Sequence, residues 1–225
     1  MKSRILSFSL FVLISATSIG QSREFIRNKI ETWGECKNVA LTLTGGDAAL
    51  YGRNGWAGRD LPATFTNTLD ELNDDNELID DIQITEEGRW LILYGNNGLK
   101  WHNLSSSLES KLREFNNNNE VITSVTFNDD GDWIAITTDH IASSDSEINE
   151  WITDGLDDYG ALWAAHVTED AIVACYARGY KFFGNVPDGL KEKLRETDMD
   201  VYRIKFLSDG AFFIADKEGN YAYFL

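Results

Sequence analysis

Proline and cysteine are nearly missing from this chain: its 225 residues hold two of each, two methionines and three histidines. So little proline, beside 43% apolar and 12% aromatic residues, excludes a disordered or collagen-like chain and fits one globular unit with a buried core. Two cysteines exclude a disulfide-dense scaffold. A bridge between Cys36 and Cys175 stays open, although a bridge needs Cα atoms within roughly 7 Å and the two fall in distant parts of any array of repeats. Unbridged, Cys175 reads as a small apolar core residue. Basic residues are scarce as well, 20 against 37 acidic, for a net charge of −17. That field repels phosphate backbones and anionic membranes, which excludes nucleic acid, and favours a basic partner or bound cations if it does more than keep the protein soluble.

Long apolar runs are confined to the start. Lys2 and Arg4, the run Ile5 to Ile14 and the small residues Ser15 to Gly20 read as a secretory signal peptide spanning 1–20, cleaved near Gly20 or Ser18. The run is too short to span a bilayer and no second one follows, so a secreted or periplasmic protein without membrane insertion, a monomer, is expected.

What is present in abundance is repetition. The stretch Ile122–Asp139, ITSVTFNDDGDWIAITTD, reads as a strand, an acidic glycine turn and a second, more apolar strand. The plan recurs at Leu41–Tyr51, Ile82–Tyr94, Ala165–Tyr176 and Ile204–Ala215, with Leu43, Ile84, Phe127, Val167 and Phe206 marking one position in the first strand. A period near 40 residues signals a repeat architecture. A third strand and an amphipathic helix complete each unit. Pro62 and Pro187 each open a helix, as proline does at a first helical position, and Ser105–Ser107 and Ser146 supply caps. Phe65, Leu69 and Leu72 share their 4-then-3 spacing with Leu108, Leu112 and Phe115. Asn116–Asn119 reads as a connector, and Gly155 and Gly160 blur the end of the third helix. The units run over roughly 39–79, 80–120, 121–161, 162–201 and 202–225.

The fifth unit stops after three strands, while residues 23–33 carry Ile26, Ile30 and Trp33 at the same helical spacing with no strands before them. If the ends meet, this helix completes the last unit. The expected fold is therefore mainly β with α, a five-bladed β-propeller-like ring of 21–225, each repeat three antiparallel strands plus one helix, closed by the N-terminal helix. An open array would leave the aromatic last strand, 220–225, as a free edge.

The turns Phe127–Ile134 and, more loosely, Phe206–Phe213 resemble F-x-x-D-G-x-W blades of bacterial TolB-type and WD-type propellers. The larger unit, a strand, Y-G-x-N-G and an L-x3-L-x2-L helix, resembles repeats of uncharacterised secreted bacterial proteins whose blades carry an extra helix. The resemblance covers 39–225, and repeats three to five depart from Y-G-x-N-G. It implies a propeller scaffold that binds something, and it carries over no catalytic residue.

His102, His140 and His166 fall in different repeats without H-x3-H or H-E-x2-H spacing, which leaves zinc unsupported, and no G-x-S-x-G elbow marks a serine nucleophile. The acidic turns Glu86-Glu87, Asp129–Asp132, Glu169-Asp170 and Asp209 occupy equivalent places. They fit ordinary turn chemistry better than a Ca²⁺ site, since D-x-D-x-D-G is absent, and Ca²⁺ is the one cofactor they could hold. Aromatic third strands serve the core or offer a ligand surface. The reading is a non-enzymatic, exported module binding a protein or glycan through one rim made of Arg53, Asn54, Trp56, Asn96, Asn97, Trp101, Asp139, His140 and Tyr180. Its alternatives are a glycoside hydrolase with two carboxylates in an acidic cleft, and a structural protein of the cell surface.

Overall fold

The computed structural model describes residues 20–225; the expected signal peptide lies, except for Gly20, outside them. Helix α1 covers 20–33. Five units follow, each with three strands: β1 (Asn38–Ala40), β2 (Asp47–Tyr51) and β3 (Gly55–Arg59); β4 (Ile79–Ile84), β5 (Trp90–Tyr94) and β6 (Gly98–His102); β7 (Ile122–Phe127), β8 (Trp133–Thr137) and β9 (Ile141–Ser143); β10 (Leu162–Val167), β11 (Ala171–Tyr176) and β12 (Gly179–Gly184); β13 (Arg203–Phe206), β14 (Phe212–Ala215) and β15 (Tyr221–Phe224). Helices α2 (Ala63–Asp74), α3 (Ser106–Asn117), α4 (Ser146–Tyr159) and α5 (Asp188–Glu196) close the first four units. Within a unit the strands are antiparallel in chain order, and the five sheets share no ladder.

The central strands bury both faces. Trp133–Thr137 and Ala171–Tyr176 are buried throughout, and Trp133 is 4% exposed. One face packs with the helix of its own unit against the next unit, and the other against the preceding unit and its helix. Thus Phe65, Leu69 and Leu72 of α2 share a core with Leu50 of the first unit and Ile82, Trp90 and Ile92 of the second. The same happens between units two and three, three and four, and four and five. Between five and one the helix is α1: Ile26 and Ile30 lie with Val39 and Ala49 on one side and Phe213 and Ala215 on the other. Arg23 adds polar ties to both, donating to Asp209 Oδ2 at 2.7 Å and to the Thr42 carbonyl at 3.2 Å. The first strands touch in series: β1 lies against β4, β4 against β7, β7 against β10, β10 against β13, and β13 against β1.

Several local expectations shift. Ile84, Phe127, Val167 and Phe206 each end a first strand, but β1 stops at Ala40 and Leu43 falls in the turn beyond. Register places Leu41 in the matching position, opposite Asp47, one step past the Ala40–Ala48 pair. Asp145, not Ser146, caps α4, accepting the N–H groups of Glu147 and Ile148 at 2.8 and 2.9 Å, because a carboxylate one residue earlier reaches both free donors. Gly155 does not end α4. It is buried where the Tyr176 ring would collide with any Cβ, and the Tyr176 hydroxyl donates to the Ile152 carbonyl at 2.9 Å. Gly160, at φ 81°, is the stop. Helix α3 runs through Asn117, and Asn119 turns the chain at φ 58°, a left-handed geometry asparagine tolerates. Cys36 and Cys175 are both free and buried, in different core clusters. Burial pushes the Cys36 thiol up to about 12 and raises Cys175 also, so neither is a reactive thiolate.

Candidate binding surface

The nine rim residues fall in separate turns and strands, and most are bonded to their own scaffold. In the β2–β3 turn, Arg53 Nε donates to the Asn76 carbonyl at 2.9 Å, and Asn54 and Asn73 exchange side-chain-to-carbonyl bonds at 3.0 Å. The β5–β6 turn repeats this one unit later. Asn97 Nδ2 donates to the Glu120 carbonyl at 2.8 Å, and its Oδ1 accepts the Ile122 N–H at 3.0 Å. Asn96 and Asn97 line a cavity of about 290 Å³ with Asp80, Asn116 and Val121. His140 Nδ1 meets Glu120 at 2.9 Å, and the neighbouring Asp139 accepts from Thr138. Trp56, Trp101 and Tyr180 are half-buried against the cores, and Trp101 donates to Glu109 under the Arg113 guanidinium, 4.8 Å from the ring centroid. The turns clip strands to helices. The Asn54–Asn73 and Asn97–Asn116 separations, 19 residues in both, were the sequence signal for this pairing.

Two of the acidic turns are likewise engaged, each with the unit before it. Glu86 accepts from the N–H groups of Leu43 and Thr44, the latter at 3.1 Å. Asp129 accepts from Thr85 Oγ1 at 2.6 Å and the Glu87 N–H at 3.0 Å, and Arg89 Nε lies 3.4 Å away. Among the described residues no group of three His, Cys, Asp or Glu side chains is arranged to hold a metal ion.

Sequence reasoning missed the buried polar groups on the first strands of the units, which lie among apolar neighbours. Lys205 on β13 reaches across to β4, with Nζ 2.8 Å from Gln83 Oε1 and 3.1 Å from Asp81 Oδ1. Asp81 Oδ1 also accepts from Asn38 Nδ2 on β1 at 2.5 Å. Burial lowers the Lys205 pKa while Asp81 opposes the shift. His166 on β10 stands 3.2 Å from Thr126 Oγ1 on β7, and its ring meets Phe206 edge-on at 5.1 Å. Burial first, then the Lys205 charge, pushes it down to about 3, so it is neutral at pH 7. Each of these polar groups is thus bonded to another unit. The only signal for them in the sequence was polar residues at alternate positions of otherwise apolar strands.

Larger openings lie outside, between units three and four and beside unit five. The first, about 370 Å³, has Ile148, Trp151, Ile172 and Phe183 as its apolar surfaces and Asp132, Asp145, Glu147, Glu169 and Asp170 around them. None of those five carboxylates is ion-paired among the described residues, and no basic side chain lines the groove. The second, about 630 Å³, lies between α5 and β14–β15. Among the described residues no helix is long and apolar enough to cross a membrane.

No protein-family model matches the chain. Nor does any curated protein match it significantly. Among solved structures it is similar to YCF48 bound to D1 peptide, at 11% identity and a TM-score of 0.28 over 84% of this chain and 51% of that one. It is also similar to a streptogramin B lyase structure, at 13% identity and a TM-score of 0.30 over 81% and 62%. The chain therefore spans half to three-fifths of those two proteins.

Proposed function

We propose that this chain is an exported, non-enzymatic binding module: a closed five-bladed ring, held at its seam by α1, that presents an acidic outer surface to a cationic polypeptide. The observation that carries the reading is how the buried polar groups are used. Lys205, Asp81, Asn38 and Gln83 bond one another across units, and His166 is neutral and bonded to Thr126. These groups brace the interior of the ring. The excess of 37 acidic over 20 basic residues then acts at the surface, where it speeds encounter with a basic partner. Export, by the segment 1–20, and a monomeric state belong to the same reading.

The test uses the whole mature chain, immobilised and offered polyarginine, polyglutamate, a glycan array and chromogenic glycosides. Retention of polyarginine that fades with salt, with neither polyglutamate bound nor glycosides cleaved, supports the proposal. Glycoside turnover would replace it with the hydrolase alternative. Salt-independent glycan binding would move the ligand from a basic polypeptide to a sugar.

A further inference from the structure

One position, taken through the repeats, exposes a gap that a ligand would fill. The residue opposite the end of each first strand, at the start of the central strand, is Trp90 in the second unit and Trp133 in the third. Each indole slides under the N-terminus of the helix packed on it and donates Nε1–H to the hydroxyl just before that helix's first buried residue: Trp90 to Thr64 at 3.2 Å, Trp133 to Ser107 at 3.0 Å. In the fourth unit the same register holds Ile172, paired with Val167. The matching helix position, one before Ile148 as Ser107 is one before Leu108, holds Glu147. The indole is therefore missing, and its acceptor has become a carboxylate. The groove of about 370 Å³ opens at this place. The residue across from Ile172 on β12 is Phe183, 58% exposed, where the second unit has His102 stacked on Trp90 at 6.1 Å.

We infer that this groove is the docking site for an arginine side chain of a basic partner segment, with the guanidinium taking the place of the absent indole and donating to Glu147. The inference rests on the binding-module reading and names its site. Arginine fits because it combines a flat, weakly hydrated body with N–H donors, the two properties the indole supplies in the neighbouring units. The apolar surfaces for that body are Ile172, Trp151 and Phe183. The rings of the latter two stand edge to face, with centroids 6.3 Å apart, and the exposed Phe183 ring can take a cation on its face. Trp151 is itself steadied by Lys181, whose ammonium lies 4.9 Å from the ring centroid but does not line the groove. The carboxylates of Asp132, Glu169 and Asp170, which make no ion pair among the described residues, add negative charge around the groove. The equivalent place in the fifth unit lacks this chemistry, since Gly189 stands where Glu147 does and offers no side-chain acceptor.

The experiment titrates the mature chain with a short peptide carrying one arginine between apolar residues, and with its citrulline counterpart, following the Trp151 indole N–H resonance. The arginine peptide should shift that resonance and bind at least tenfold more tightly than the neutral, equally planar citrulline peptide. Ile172→Trp, which restores the indole, and the surface change Glu147→Gln should each weaken binding tenfold or more. Equal affinity for the two peptides overturns the inference. So does arginine binding that survives Glu147→Gln, a variant that leaves the core untouched, but the polyarginine result above would then still support a binding module with its site elsewhere. If the wild type holds neither polyarginine nor the peptide, both readings fall.

Discussion

Single side chains in this protein matter most where they are polar and enclosed. Lys205 and Asp81 are 5% and 4% exposed at the side chain and 3.1 Å apart. Withdrawing two charges from water costs about as much as their attraction returns, so the pair adds little net stability, yet losing one partner strands the other. Asp81→Asn should therefore destabilise the protein by about 3–5 kcal/mol in urea unfolding, whereas Lys205→Met with Asp81→Leu should recover only part of that loss, because Asn38 and Gln83 each lose a partner. A single variant as stable as the wild type would mean that water reaches Lys205. Asp47 shows the opposite case. It sits where other units place tryptophan or another apolar residue, with Arg23 Nε 3.8 Å from Oδ2, and burial pushes its carboxyl up to about 6.

At the level of the element, one architectural problem is solved in several ways. Each helix needs something beneath the turn that leads into its core residues. Trp90 and Trp133 supply an indole and a donor, Asp47 meets the guanidinium of α1, Phe212 supplies a ring, and Ile172 leaves a groove. The turns at the far end of the sheets are equally structural. Asn97 joins the β5–β6 turn to the connector after α3 and to the start of β7, one hydrogen bond to each, and does so at φ 75°. Replacing it tests both roles. Asn97→Ala loses the bonds and keeps a Cβ in left-handed backbone without the polar side chain that lets asparagine tolerate it, for a cost of about 2–4 kcal/mol, while Asn97→Gly should be milder by about 1 kcal/mol. Chemical denaturation of the pair measures this, and equal effects would mean that backbone strain contributes nothing there.

For the molecule as a whole, the seam between the fifth unit and the first is the decisive joint. Ile30 on α1 is fully buried between Val39 and Phe213. A charge there, Ile30→Asp, should cost about 3 kcal/mol or more and loosen both flanking sheets together. Hydrogen exchange would read this as lost protection in β1–β2 and β13–β15, with β7–β8 spared until global unfolding. Loss confined to α1 would mean that the helix is an ornament to an assembly that stands without it. The number of units, their three-strand-and-helix plan and the pairing of the first helix with the last sheet were all legible in the sequence, because apolar spacing at 2 and 3.6 residues and a period near 40 are properties of the chain itself. Hidden from it were the buried network of Lys205, Asp81 and Asn38, whose bonded pairs are 43 and 124 residues apart, and the engagement of Asn54 and Asn97 by α2 and α3. Ile172 and Glu147 were each ordinary residues in the sequence. Only the packing of α4 over β11 sets them beside one empty volume, because a groove is a property of what surrounds it and not of any residue that lines it.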